Sequence, residues 1–262
     1  MFSPALPTIR AMILDMDGVL WRGDQPLGDL PKIFNWLDKR GYRVVLATNN
    51  ATLSVKDYQS KISRFGVELE AWQIVNSSQA VGHYLKQRYP SGGKVYIIGE
   101  AGLIETLAGY GFLHEDTDVL AVVAGMDRHL TYEKLRKATL LIRNGALFIG
   151  TNPDRTYPVP EGLVPGAGAV LAALEAATDI SPNIIGKPAP EMYRVALERL
   201  AVSAEQTLVV GDRLETDIAG AQTLGCQTAL VLSGVTNEEA ARAWQPAPDW
   251  IVDNLTTLVS LL

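Results

Sequence analysis

Short runs of Val, Ile, Leu and Ala alternate along the chain with longer stretches in which apolar residues recur every third or fourth position. The short runs have no polar face, so they read as strands buried on both sides of a parallel sheet. Residues 11–14, 42–47, 207–210, 228–232 and 250–252 are predicted strands of this kind. The longer stretches predict helices over 31–40, 54–65, 218–224 and 238–244. Pro31 near the start of the first and Gly41 just past its end suit the two termini. Ser54 and Gly66 frame the second in the same way. Within it Val55, Tyr58, Ile62 and Phe65 share one face.

The middle of the chain repeats this alternation independently. Strands are expected at 94–98, 119–124 and 146–149, and helices at 77–88, 103–107, 132–144 and 167–177. The Pro/Gly-rich stretch 89–93 reads as a connector. The pattern is that of one α/β domain with a second inserted into it. The core, a doubly wound parallel sheet, takes residues 1–76 and 184–262, and a large α/β cap takes 77–183.

Composition narrows the class of partner. The 262 residues are 47% hydrophobic and 20% charged, with a net charge of −6 and a pI near 5.2. No Lys/Arg run is present, so a nucleic-acid partner is not expected. Apolar stretches stop at strand length, well short of the roughly 20 residues that span a bilayer, so no membrane partner is expected either. The single cysteine, Cys226, cannot form an internal disulfide, and residues 1–10 carry no secretory pattern. A cytoplasmic protein is expected.

Four polar clusters follow apolar strands. Asp15-Met16-Asp17-Gly18 follows the first; in an extended segment positions i and i+2 point the same way, presenting two carboxylates to one place. Converging carboxylates repel and call for a cation, and Mg²⁺ prefers such hard oxygen ligands. Thr48-Asn49-Asn50 offers a hydroxyl, amides and backbone N–H groups to phosphate oxygens. Lys187, within Gly186-Lys187-Pro188-Ala189-Pro190, offers a fixed cation. Asp212, with Asp217 shortly after it, adds acids at a fourth strand end. Each cluster alone has an ordinary reading: a surface turn, a polar N-cap loop, a solvated lysine, acids complementing a helix dipole. Their order along the chain, at four strand ends, is what points to phosphoryl transfer.

These residues resemble the four motifs of the haloacid dehalogenase-like hydrolases. The longer strings Asp15-Met16-Asp17-Gly18-Val19-Leu20-Trp21, Ala47-Thr48-Asn49-Asn50, Thr151-Asn152-Pro153-Asp154, Pro165-Gly166-Ala167-Gly168 and Gly186 to Pro190 resemble the NagD-like, 4-nitrophenylphosphatase-like branch. The resemblance spans nearly the whole chain. It implies a Mg²⁺-dependent phosphatase acting on a small phosphorylated metabolite through an aspartyl-phosphate. Asp15 would be the nucleophile and Asp17 the acid and then the base. Thr48, Asn49 and Lys187 would bind phosphate. The metal would take a carboxylate oxygen of Asp15, the carbonyl of Asp17 and the carboxylate of Asp212, with Asp217 orienting waters or Lys187. It also implies a homodimer formed through the cap.

Within the cap, the loop 151–157 is the expected reader of the leaving group. Asp154, Arg155 and Tyr157 are its candidate residues; Arg155 suits a second anionic group and Tyr157 a ring, with ordinary surface side chains as the alternative. Gly166-Ala167-Gly168 lacks the third glycine and preceding strand of a dinucleotide site. His83, His114 and His129 have no metal-ligand spacing, and Cys226 reads as buried and inert. Trp21 is expected to help close the site. A phosphomutase using the same intermediate, or a binding protein that keeps the fold without turnover, is the rival reading.

Overall fold

The computed structural model describes residues 9–159 and 161–262. Two compact units divide the chain: Met1–Thr48, Gln59–Val75 and Tyr193–Leu262 form one, and Asn49–Tyr58 and Asn76–Met192 the other. The first is discontinuous because its sheet recruits strands from both ends of the sequence.

That sheet has six strands in the order Trp250–Val252, Gln227–Val231, Thr207–Gly211, Ala11–Leu14, Arg43–Thr48, Ile74–Asn76. Neighbours run parallel from Trp250–Val252 through to Arg43–Thr48. Ala11–Leu14 sits inside it, with Leu14 opposite both Val210 and Leu46. All four of its residues are buried, which explains the absence of a polar face in the sequence. The helix Leu30–Lys39 begins at Asp29, whose side chain accepts from the Lys32 N–H, and buries Leu30, Ile33 and Leu37. Leu214, Ile218, Leu230 and Ala241 pack together beside the strand Gln227–Val231.

The second unit has a five-stranded, all-parallel sheet ordered Asn183–Ile184, Leu147–Gly150, Ala121–Ala124, Gly93–Ile98, Phe112–His114. Helices Tyr132–Arg143 and Ala167–Thr178 lay Ala138, Ile142, Val170, Leu171 and Leu174 against Tyr96, Ile98, Val122 and Phe148. Fully burying an aliphatic side chain of this size contributes about 1.5–3 kcal/mol. The helix Ser77–Arg88 starts at a reciprocal cap, Asn76 accepting from the Gln79 N–H while the Gln79 side chain accepts from the Asn76 N–H.

The strands expected at 11–14 and 250–252 and the helix at 77–88 fall on the observed bounds. The reading differs in several places. Phe112–His114 is an edge strand where no element was expected. Residues 156 and 157, expected in a loop, pair as part of a hairpin, Thr156–Val159 with Gly162–Pro165. Residues 184–192, assigned by sequence to the core, lie in the second unit, because Asn183–Ile184 pairs with Leu147–Gly150 and edge pairing leaves no mark on a two-residue strand. Pro190 opens an unforeseen helix, Pro190–Leu200, rather than only stiffening a turn. Among the described residues no helix is long and apolar enough to cross a membrane.

Candidate active site

Parallel strands bring their carboxyl ends to one edge of the sheet, where α/β proteins build their sites. In the first unit that edge carries Asp15, Thr48 and Asp212. The Asp15 N–H donates to the Val210 carbonyl at 2.8 Å, extending the ladder one residue past Leu14. Asp212 follows the neighbouring strand Thr207–Gly211, and Thr48, itself buried, closes the strand on the other side.

One oxygen from each of Asp15, Asp212 and Asp217 lies within 4.8 Å of the other two. Asp212 and Asp217 are 2% exposed and Asp15 9%. Three carboxylates this close and this sheltered repel one another unless a cation lies among them. Asp217 enters the group from a π-helical turn, Leu214–Ile218, and its Oδ2 accepts from the Arg213 N–H at 3.1 Å. The sequence reading gave Asp217 an indirect role; its carboxylate stands in the cluster itself. The tell-tale was Gly211: a Cβ there would overlap the Asp217 side chain.

Asp212 is seated between two glycines. Gly18 holds φ at +87°, and a Cβ on it would lie 2.5 Å from Asp212 Oδ2; a Cβ on Gly234 would overlap the same carboxylate. The loop that supplies Gly234 also donates the Val235 N–H to Asp212 Oδ2 at 2.8 Å, while the Ser233 hydroxyl donates to the Gly18 carbonyl at 2.7 Å. Sequence reading missed this loop, Ser233-Gly234-Val235, which lacks any acid or base. Gly234→Ala is expected to push Asp212 aside and lower kcat/KM by about a hundredfold, the cost of a misplacement near 1 Å. Steady-state kinetics beside a circular-dichroism melt would separate that loss from unfolding.

Asp17 does not join the carboxylate group. The chain leaves the strand after Asp15 and turns, the Leu20 N–H donating to the Met16 carbonyl at 2.8 Å, so the i, i+2 rule of extended segments no longer applies. Asp17 Oδ1 instead accepts from the Trp21 indole N–H at 3.0 Å. Trp21 is 0% exposed. It is an internal prop for Asp17 and not the closing surface that the sequence suggested.

The second unit carries its own polar cluster. The Asn49 amide nitrogen donates to the Lys187 carbonyl at 3.0 Å and to Asp154 Oδ2 at 3.4 Å. The Asn49 carbonyl accepts from Ser77 Oγ at 2.6 Å and from Asn152 Nδ2 at 2.8 Å. Asn49 Oδ1 is buried without a hydrogen-bond partner and faces Gly186, where a Cβ would approach it to 2.7 Å. The Asn49 side-chain amide is therefore occupied in binding the loop of Lys187, a buried residue, which differs from the phosphate contact expected of it. Ser77 went unnoticed because a single polar residue at a helix start carries no pattern, and Asn152, quoted in a motif string, was given no role of its own.

Arg155 is exposed and Tyr157 half-buried. Arg128 holds Glu100 by two bonds of 2.6 and 2.5 Å and keeps that carboxyl below its usual range. His114 Nδ1 accepts from the Ile97 N–H at 3.0 Å, a structural use. Burial pushes the Cys226 thiol up to about 12, which leaves it inert.

Comparison with known proteins gives this geometry a lineage. A haloacid dehalogenase-like hydrolase profile matches residues 12–113, and a HAD-hydrolase-like profile matches 184–258. The chain is 37% identical over 256 residues to the chloroplastic phosphoglycolate phosphatase 1A of Arabidopsis thaliana, covering 88% of this chain and 71% of that protein. The chain belongs to the haloacid dehalogenase-like hydrolases. An acid sugar phosphatase of Staphylococcus saprophyticus is 32% identical over 97% of this chain and 98% of its own.

Solved structures of the superfamily agree on the branch. The p-nitrophenyl phosphatase from Archaeoglobus fulgidus superposes with a TM-score of 0.92 at 31% identity, covering 98% of this chain and all of that one. NagD from E. coli K-12 gives 0.88 at 32%, over 95% and 97%. The glycerol phosphate phosphatase Rv1692 from Mycobacterium tuberculosis, solved with magnesium, gives 0.88 at 33%, over 95% and 76%. The chain is thus a HAD-type phosphatase, a phosphomonoester hydrolase with the α/β fold of the NagD and 4-nitrophenylphosphatase structures.

Proposed function

We propose that the chain hydrolyses a small phosphomonoester with the help of Mg²⁺, through an aspartyl-phosphate on Asp15. The observation that carries this reading is the group of Asp15, Asp212 and Asp217 at the carboxyl ends of adjacent parallel strands. These hard oxygen donors, crowded together, fit a small divalent cation. Asp15 and Asp212 would hold it with the Asp17 carbonyl, and Asp217 completes the acidic lining. Bound there, Mg²⁺ would neutralise charge on the transferring phosphoryl group.

The protein's own residues divide the rest. An Asp15 carboxylate oxygen attacks phosphorus, and the bond from phosphorus to the ester oxygen breaks. Asp17 gives its proton to that oxygen, and the alcohol leaves. Water then attacks the phosphoryl group on Asp15, Asp17 takes a proton from it, and inorganic phosphate leaves with the Asp15 carboxylate restored. Thr48 would hold a non-bridging oxygen. Lys187 would supply the positive charge that a carboxylate needs to approach a phosphate dianion, with Asn49 fixing the backbone of Lys187.

Phosphoglycolate, glycerol phosphate, sugar phosphates and 4-nitrophenyl phosphate make up the substrate panel, with support from the named activities of the relatives. Asp154, Arg155 and Tyr157 would read the leaving group, so Arg155→Ala is expected to lower kcat/KM for an anionic leaving group, such as glycolate, by about tenfold and to spare 4-nitrophenyl phosphate. An unchanged ranking across the panel would remove Arg155 from the reading. A cytoplasmic setting has support in the lone, buried Cys226. Dimerisation through the second unit is part of the same proposal, and sedimentation would test it.

A further inference from the structure

We infer that Trp21 and Lys61 form a positioning relay for Asp17, fixing the orientation of its carboxyl group. The inference rests on the acid–base role proposed for Asp17. Asp17 Oδ1 accepts the Trp21 indole N–H at 3.0 Å. An oxygen that accepts an N–H cannot point a proton along the same line. The bond therefore fixes the rotation of the Asp17 carboxyl group about its Cβ–Cγ bond, with Oδ1 held on the indole.

Trp21 can hold this geometry because its own position is fixed from several sides. Its carbonyl accepts the Gly18 N–H at 2.8 Å and its N–H donates to the Met16 carbonyl at 3.2 Å. It pairs with Pro26 in a short hairpin. Phe65 lies against its ring, centroid to centroid 5.8 Å, and the ring is fully buried. An indole locked in this way can orient a carboxyl group without losing entropy at the moment of reaction.

Lys61 adds the electrostatic part. Its Nζ lies 4.7 Å from the centroid of the Trp21 ring. A cation over the face of an indole draws electron density from the ring and polarises its N–H, strengthening the bond that the N–H donates. Lys61 thus acts on Asp17 through Trp21. It comes from the helix Val55–Arg64, which carries none of the four motifs.

The relay has a signature that simple packing lacks. A good leaving group such as 4-nitrophenolate departs without a proton, whereas an alkoxide does not. Trp21→Phe, which keeps a ring and removes the N–H, is expected to lower kcat/KM for ethyl phosphate by about tenfold, the worth of one hydrogen bond. For 4-nitrophenyl phosphate the change is expected to stay within about twofold. Lys61→Gln, on a half-buried helix position, is expected to show the same discrimination at about threefold, without a change in melting temperature. Equal losses for both esters in both variants would overturn the relay and leave Trp21 a packing residue. Asp17→Asn runs beside them: if it fails to discriminate between the esters, the acid–base role of Asp17 falls, and the relay with it.

Discussion

Asp15→Asn is expected to release phosphate at least about a thousandfold more slowly than the wild type, while melting at the same or a higher temperature. The carboxamide keeps the shape of the side chain but cannot form an acyl phosphate. Its backbone place is held by the ladder bond to Val210, which the substitution does not touch. The stability prediction has a separate cause. Removing one of three carboxylates within 4.8 Å relieves like-charge repulsion, worth on the order of 1 kcal/mol when no cation is present. For a unit of this size that is a rise of roughly 2–4 °C. Two measurements check the pair: phosphate release with hydroxylamine trapping of the acyl phosphate, and thermal melting in chelator. An active Asn variant would exclude Asp15 as nucleophile, and a much less stable one would mean that the carboxylate has a structural partner worth more than the repulsion.

Chelation of divalent metal is the second large effect. Phosphate release is expected to fall to background in excess EDTA and to return with added Mg²⁺. A ligand at a hundred times its dissociation constant stabilises the native state by about 2.7 kcal/mol, so Mg²⁺ should raise the melting temperature by several degrees. Asp212→Ala is expected to abolish both responses. Asp212 is tightly built in, held by Gly18, Gly234 and the Val235 N–H, and its loss removes a ligand and leaves a hole between glycines. Full activity in EDTA would exclude the metal-dependent reading outright. A metal response that survives in Asp212→Ala would move the binding site elsewhere.

Much of the fold was legible because its signals are local. The parallel core strands are unbroken apolar runs, and a helix start such as Ser54, whose hydroxyl accepts from the Asp57 N–H, is displayed by the sequence itself. The site was legible where residue type and position coincide: Asp15, Thr48 and Asp212 each end a strand. What sequence could not show depends on distant partners. Asp17 was expected beside Asp15, but the turn after the strand sends its carboxylate to Trp21. Lys187 was assigned to the core because it closes an apolar run, yet its strand pairs with Leu147–Gly150. Gly234 drew no reading, since nothing in a glycine records that a carboxylate from 22 positions earlier packs against it.

The central place of Ala11–Leu14 has a consequence for how the chain comes off the ribosome. One neighbour, Arg43–Thr48, is made within seconds, but the other, Thr207–Gly211, lies roughly 190 residues downstream, a delay of about 10–40 s at ordinary elongation rates. During that interval Met12, Ile13 and Leu14 present an unpaired apolar edge that the finished molecule hides completely. The intervening Asn76–Met192, with a parallel sheet and core of its own, can fold while the N-terminal strands wait. Nascent chains halted before residue 207 should therefore be the ones most dependent on chaperones, and a permuted gene that brings 193–262 ahead of residue 9 should shorten that dependence.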